Sequence, residues 1–362
     1  MIRESTFNEI LLLVGRWLTR IRSPWTLMFY GGLSVICLSL SGFSFDASYG
    51  DAAFTLDTGN GTPALISNIA FAVGLILAVI GAVGMIFHAV GEYKADGKKR
   101  VIIIEQRGLR DTSDTPLEGA VPKNIKGRRD PVLIDIRERI KDGVVTDAEK
   151  ALERVAALSL SLEQKRSGLD RSNVSVVYGG LLPVPFTFLT GMIIDDESAV
   201  LTLDWNRHDN RWQSLNDQDD GDRFIISDLN LIPENADQVV LAVSVSYKVD
   251  MTAIGRTFGS LPIVSLDLPN GHQDCHWSEE KQKALAQDFL KTITALNNKN
   301  VGKIHLVLAA PNSVVFRFGR IYDKRNLPKL VVHQYERSNT PPYPWGVLMP
   351  THGIEIPRIE RS

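Results

Sequence analysis

Cysteine is nearly missing from this sequence. Two occur in 362 residues, Cys37 inside an apolar span and Cys275 in a polar loop. They are no basis for a disulfide framework, and such usage suits a reducing compartment for the soluble part. A strong net charge is missing as well. Forty Lys and Arg stand against 42 Asp and Glu, a balance of −2. That excludes the broad basic field expected of a duplex nucleic-acid binder, whereas a small anionic ligand needs only a few local cations. The motifs of common chemistries are also absent: no P-loop, no GxGxxG after a strand, no GxSxG and no HExxH. His272, Cys275 and His276 lie close together but have no distant fourth ligand. They read as loop residues ahead of a helix rather than as a metal site. No catalytic residue, metal or cofactor is expected.

Charge is missing from two stretches near the amino terminus. Residues 25–45 carry none, and 64–91 carry none apart from the titratable His88. At about 1.5 Å per residue the first spans about 30 Å, one hydrocarbon thickness. Two transmembrane helices are expected within 25–93. Arg16, Arg20 and Arg22 precede the first; Lys94, Lys98, Lys99 and Arg100 follow the second. The connecting loop, 46–62, has Asp46, Asp51 and Asp57 and no Lys or Arg. The positive-inside rule then places both termini in the cytoplasm and the loop outside. Residues 1–24 fit an amphipathic segment on the cytoplasmic face better than a signal peptide, because the basic residues follow the short apolar run. In the second span Ala70, Gly74, Ala78 and Ala82 recur every four residues. This is either a face for close helix packing and self-association or ordinary membrane-helix composition.

The remainder alternates strands and helices. VIIIEQRGL, from Val101, starts a buried strand, and 111–130 is a polar loop. A helix is expected over 146–165, with Thr146 and Glu149 as its capping box. Strands follow at 173–178, 199–204 and 223–226, the last two around a polar excursion with Asp217, Asp219, Asp220 and Asp222. The spacing of that run departs from the EF-hand calcium pattern and no Glu stands at its end, so a solvated loop is the simpler reading. Further strands are expected at 238–248 and 263–267, with a short helix at 251–258 between them. Ser278 caps a helix whose buried face is Leu285, Phe289, Ile293 and Leu296. Residues 351–362 read as a tail.

The centre of the chain is 304–323, IHLVLAAPNSVVFRFGRIYD. It reads as a buried strand, a small-residue turn, a cap at Asn312 or Ser313 and an apolar helix. Such a turn leaves unpaired N–H groups at the helix start, in the crevice where open α/β sheets bind ligands and where phosphates fit; it is also what any ordinary βα unit looks like. An earlier stretch repeats it. Tyr178-Gly179-Gly180…Phe186-Thr187-Phe188 matches Leu308-Ala309-Ala310…Phe316-Arg317-Phe318, and Gly191 and Asp195 match Gly319 and Asp323, with the glycines two residues out of step. The repeat suggests two pseudo-symmetric lobes.

The run IHLVLAAPNSVVFRFGR followed by LPKLVVHQYER resembles the carboxyl-terminal signature of SAVED domains, and VIIIEQRGLRDTSDTPL fits the start of one. With its two apolar spans the chain resembles the transmembrane-SAVED effectors of CBASS, a bacterial anti-phage system. The resemblance implies a membrane-anchored α/β fold: two transmembrane helices, then a SAVED domain over 101–350 made of two fused CARF-like Rossmann-type lobes. It implies a bacterial inner-membrane location, with the sensor in the cytoplasm. The implied partners are a cyclic di- or trinucleotide made by a cognate nucleotidyltransferase, the lipid bilayer, and further copies of the chain as a ligand-induced homo-oligomer. Candidate contacts are Gln106, Arg107, Tyr178 (for base stacking), Gly179, Gly180, Ser244, Ser246, Lys248, Ala309, Ala310, Pro311, Asn312 and Ser313. The competing class is a membrane-anchored enzyme with a ligand-regulated α/β domain.

Overall fold

A computed structural model describes residues 23–40, 44–49, 52–57, 64–195 and 199–362. The amphipathic segment expected at 1–24 lies almost wholly outside them. The chain divides into two units, Met1–Gly97 and Lys98–Ser362.

In the first unit the uncharged stretches form α1 (Pro24–Leu40) and α2 (Ala64–Lys98). Within α2, Ser67–Gly91 is long and apolar enough to cross a membrane, with mean hydropathy 2.7. Helix α1 is equally apolar but only 17 residues long, shorter than the 25–45 span expected. It gives way to β1 (Ser44–Tyr49), which pairs antiparallel with β2 (Ala52–Asp57). Part of the expected loop 46–62 is therefore a β-hairpin, and the rest lies outside the described residues.

Helices α1 and α2 meet at glycine. A Cβ on Gly32 would lie 2.4 Å from the Ala78 nitrogen and 2.6 Å from the Gly74 oxygen. Close backbone approach of this kind is how apolar helices pack in lipid. Gly74 and Ala78 are thus used within the chain, which corrects the expectation that they offer a face to other copies. The exposed residues are large and apolar instead, among them Phe71, Val79, Ile86 and Phe87.

The second unit begins with β3 (Arg100–Arg107), whose run of branched aliphatics is buried on both faces, as a central parallel strand requires. After α3 (Leu117–Ala120) come β4 (Arg128–Asp135) and a small hairpin, β5 (Ile140–Lys141) and β6 (Val144–Val145). The helix expected over 146–165 is two, α4 (Ala148–Ala156) and α5 (Leu158–Arg166). Its cap is Asp147, which accepts from the Lys150 amide at 3.1 Å, because the Thr146 hydroxyl is turned to the Arg139 carbonyl. Then follow β7 (Val174–Leu181), α6 (Val184–Ile194), β8 (Val200–Asn206) and β9 (Arg211–Ser214). These strands form one sheet in the order β4-β3-β7-β8-β9, parallel except for β9.

The chain then builds the same sheet again. It adds β10 (Ile225–Ser227), β11 (Gln238–Ser244), α7 (Met251–Phe258), β12 (Ile263–Asp267), α8 (Glu279–Asn298) and β13 (Lys303–Ala309). It ends with α9 (Asn312–Ile321), β14 (Lys329–Gln334), β15 (Trp345–Leu348) and β16 (Arg358–Arg361). The strand order is β10-β12-β11-β13-β14-β15-β16. Without its outer strands this is the first lobe's 2-1-3-4-5 order, a doubly wound pattern. The expected tail is corrected: β16 pairs with β15 and extends the sheet.

Helices α6 and α9 join the lobes. Phe186, Phe188, Phe316 and Phe318 are fully buried, each contributing about 1.5–3 kcal/mol. A Cβ on Gly191 would fall 2.2 Å from the Phe316 oxygen, and one on Gly319 would fall 2.1 Å from the Phe188 oxygen. The contact is reciprocal, as a pseudo-twofold axis demands. It also corrects the repeat register. The same displacement of 128 residues relates Pro183 to Pro311, Phe188 to Phe316, Gly191 to Gly319 and Asp195 to Asp323. The glycines are in step, and the Phe-x-Phe match was the two-residue slip.

Candidate functional site

In a 2-1-3-4-5 sheet the ligand crevice lies at the carboxyl ends of strands 1 and 3, where the strand order reverses. The first lobe's crevice lies between β3 and β7, the second's between β11 and β13. They share a topology but differ in what fills them.

The first is plugged. Gln106 is fully buried; its amide donates to the Thr190 hydroxyl at 2.8 Å and accepts from Tyr178 at 3.2 Å. Tyr178 lies 1% exposed with its ring stacked on Phe316, centroids 3.7 Å apart. Burial pushes its phenol above the ordinary range, so it acts as a neutral donor. No face remains for a base, which corrects the stacking role. Gly179 and Gly180 lie inside β7 rather than in a turn. Their missing side chains leave room for Leu117 and Trp212 and for the Tyr178 hydroxyl. Arg107 is also committed: it donates to Glu105 at 2.7 Å and Ser113 at 2.9 Å, while Glu105 accepts from Thr112 and the Leu117 amide. This buried clamp engages Arg107, a candidate ligand contact, within its own lobe and fixes segment 108–120 over the crevice.

The second crevice opens into a hollow of about 260 Å³. Both βα turns reach it, through Leu181 and Val184 from the first lobe and Leu308–Asn312 from the second. The other walls are Asp204–Trp205, Arg207–His208, Ser246–Tyr247, Gln273–Asp274 and His276. Of the expected residues it gathers Ser246, Ala309, Ala310, Pro311 and Asn312. Ser244 does not line it, its hydroxyl accepting from the Val249 amide at 3.1 Å. Lys248 is exposed and paired with Asp267 at 2.9 Å.

The start of α9 departs from expectation. Pro311, not Asn312 or Ser313, is the cap residue, and no side chain caps the helix in the usual way. Instead Asp204, from the other lobe, accepts from the Ser313 amide at 3.0 Å and lies 3.4 Å from His276 Nε2. Burial would raise the Asp204 carboxyl. His276 and both Ser313 donors outweigh it and hold the group below the usual carboxylate range. A carboxylate thus already occupies the place an anion would take. At α6 the matching amide is missing, because Pro185 stands there. Sequence reasoning missed Asp204, Trp205, Arg207, His208, Tyr247, Gln273 and Asp274, because none belongs to the repeated turn. The only signal was the polar GHQDCHW run.

A larger hollow, about 480 Å³, lies beside the amino end of β7 between Leu162, Arg166, Leu169 and Ile193. It is at the opposite end of that strand from the crevices and lies outside the switch-point rule.

Residues 156–349, more than half of the chain, match the family described as SAVED, "SMODS-associated and fused to various effectors sensor domain". Residues 4–152 match the "SAVED-fused 2TM effector domain", Saf_2TM. The boundary between the matches falls inside the second structural unit, since β3 and β4 share a sheet with β7. No curated protein matches. Similar solved structures include the Acinetobacter baumannii Cap4 SAVED/CARF-domain containing receptor with the cyclic trinucleotide 2′3′3′-cAAA, at 12% identity and TM-score 0.47 over 75% of this chain. The same receptor with 3′3′3′-cAAA has TM-score 0.46, also at 12% identity over 75% of this chain. The Moraxella osloensis Cap4 receptor has TM-score 0.45, at 12% identity over 76% of this chain. Each match spans 58% of the solved chain's length.

Proposed function

Because this chain belongs to the SAVED family, with its sensor fused to a 2TM effector domain that anchors it in a membrane, we propose that it is a ligand-gated membrane effector of anti-phage defence. A cyclic di- or trinucleotide, made by a cognate nucleotidyltransferase, enters the hollow on the pseudo-dyad. Occupied sensors assemble head to tail, since heterologous contacts do not stop at a dimer. Assembly crowds the apolar hairpins and raises their effective concentration in the bilayer of the bacterial inner membrane. The membrane is breached and the infected cell stops growing. Both termini and the sensor face the cytoplasm. The ligand leaves chemically intact, so the chain acts without catalysis.

The observation that carries this reading is the hollow where two βα turns converge, the location expected for a ligand of a doubly wound sheet. The full chain in lipid nanodiscs, titrated with cyclic tri-AMP and cyclic di-AMP, tests it. Saturable binding, a size shift by light scattering and recovery of intact ligand are expected. Hydrolysed ligand would favour the membrane-anchored enzyme, and a particle that binds without growing would remove assembly. Dye entry into cells expressing the chain with and without its synthase tests the breach.

A further inference from the structure

We infer that this hollow reads the amino edge of a nucleobase through Asp274 and leaves the ligand's phosphates to Arg207 at its rim. The inference rests on the sensor reading above and concerns how the same site selects its ligand.

Helix starts are the usual phosphate cradle in such folds. Here that cradle is largely spent. Pro183 and Pro311 are the cap residues, Pro185 has no N–H, and the Ser313 amide is held by Asp204. The amides of Phe186, Thr187, Val314 and Val315 turn back to the cap prolines. The walls carry two carboxylates, Asp204 beside His276 and Asp274 beside His208, and one guanidinium, Arg207. Arg207 is exposed and, among the described residues, has no acidic partner. Phosphate charge is therefore best placed at Arg207, the one lining cation with no carboxylate beside it among the described residues.

The hollow is also small. At about 260 Å³ it lies below the roughly 300–1,000 Å³ of sites that enclose a whole drug-sized ligand, so it takes one nucleoside portion of a ring. Along the wall formed by Tyr247, Gln273 and Asp274, acceptors dominate. Asp274 is half-exposed and makes only long contacts, 3.3 Å to His208 and 3.4 Å to Trp277. That leaves lone pairs open on a group that is acceptor-only when ionised. The Gln273 nitrogen is engaged by the Tyr247 hydroxyl, which leaves its oxygen as a second acceptor. Acceptors of this kind pair with the exocyclic amines of adenine, cytosine and guanine, whereas uracil offers carbonyl oxygens in their place. The exposed Tyr247 ring beside them is a face on which a base can stack.

The test is equilibrium binding of cyclic tri-AMP and cyclic tri-UMP to the full chain in nanodiscs across a salt series. Wild type should prefer the adenine ring by about tenfold. Asp274→Asn should shrink that gap to about twofold or less by replacing a charged acceptor with a neutral amide. Arg207→Gln should weaken both rings by the same factor and make binding less sensitive to salt. Equal binding of the two rings, or a gap that survives in Asp274→Asn, overturns the inference while the sensor reading stands. Failure of wild type to bind either ring or cyclic di-AMP removes the sensor reading itself.

Discussion

The two lobes have the same strand order and the same proline-capped turn, yet only one carboxyl edge is open. At equivalent positions the first lobe has Leu181, Leu182 and Val184 where the second has Ala309, Ala310 and Asn312. The first lobe also covers its edge with segment 108–120, held by the Glu105–Arg107 clamp and by Trp212, whose indole donates to the Thr115 carbonyl at 3.1 Å. Topology dictates where a crevice can exist; side-chain volume and one buried ion pair decide whether it stays open. The hollow accordingly lies on the axis between the lobes rather than within either.

The strongest way to break this arrangement is at the axis. Gly191→Leu puts a side chain where the backbone of α9 runs, and should destabilise the unit by about 3 kcal/mol, read as a large drop in thermal midpoint. Ala310→Arg should spare the fold, because Ala310 lies at the edge of the hollow. It should weaken cyclic-nucleotide binding about 100-fold, close to 2.7 kcal/mol, in a calorimetric titration.

Asp204→Asn probes the link between the lobes more gently. The Asp204 pKa is depressed by folding, so its ionised form contributes stability that is complete above the unfolded value of about 3.9 and is lost as pH falls through the lower folded value. The variant should be about 2 kcal/mol less stable at neutral pH, and its acid-denaturation curve should be flatter below pH 4. Lys248→Ala should do least. It removes an exposed ion pair and should change stability by less than about 0.5 kcal/mol and binding by less than about twofold.

The comparison also shows what the residues disclosed by themselves. Local patterns were plain: β13 and its helix, the Ser278 cap, and the uncharged spans all follow from short-range periodicity and capping chemistry. The register of the repeat was not, because the Phe-x-Phe pairs suggested one alignment and the glycines another. Only the reciprocal approach of Gly191 and Gly319 decides between them. Tyr178 looked like a stacking platform because a sequence does not show that Phe316 covers its ring. Asp204 escaped notice because it caps a helix 109 positions away. Strand β16 was hidden in Arg-Ile-Glu-Arg, whose single apolar residue carries no alternation. The small-residue stripe was visible, but its partner, Gly32 of the same chain, was not.

On this account the ligand sits in the open hollow between the lobes and not in the first lobe's plugged crevice. Photocrosslinking the full chain in nanodiscs with an 8-azidoadenosine cyclic trinucleotide tests it most directly. Adducts are expected within 204–208, 246–247, 273–276 and 308–312, and should be lost in Ala310→Arg. Adducts on 105–109 or 178–180 would place the ligand in the plugged crevice and contradict the account.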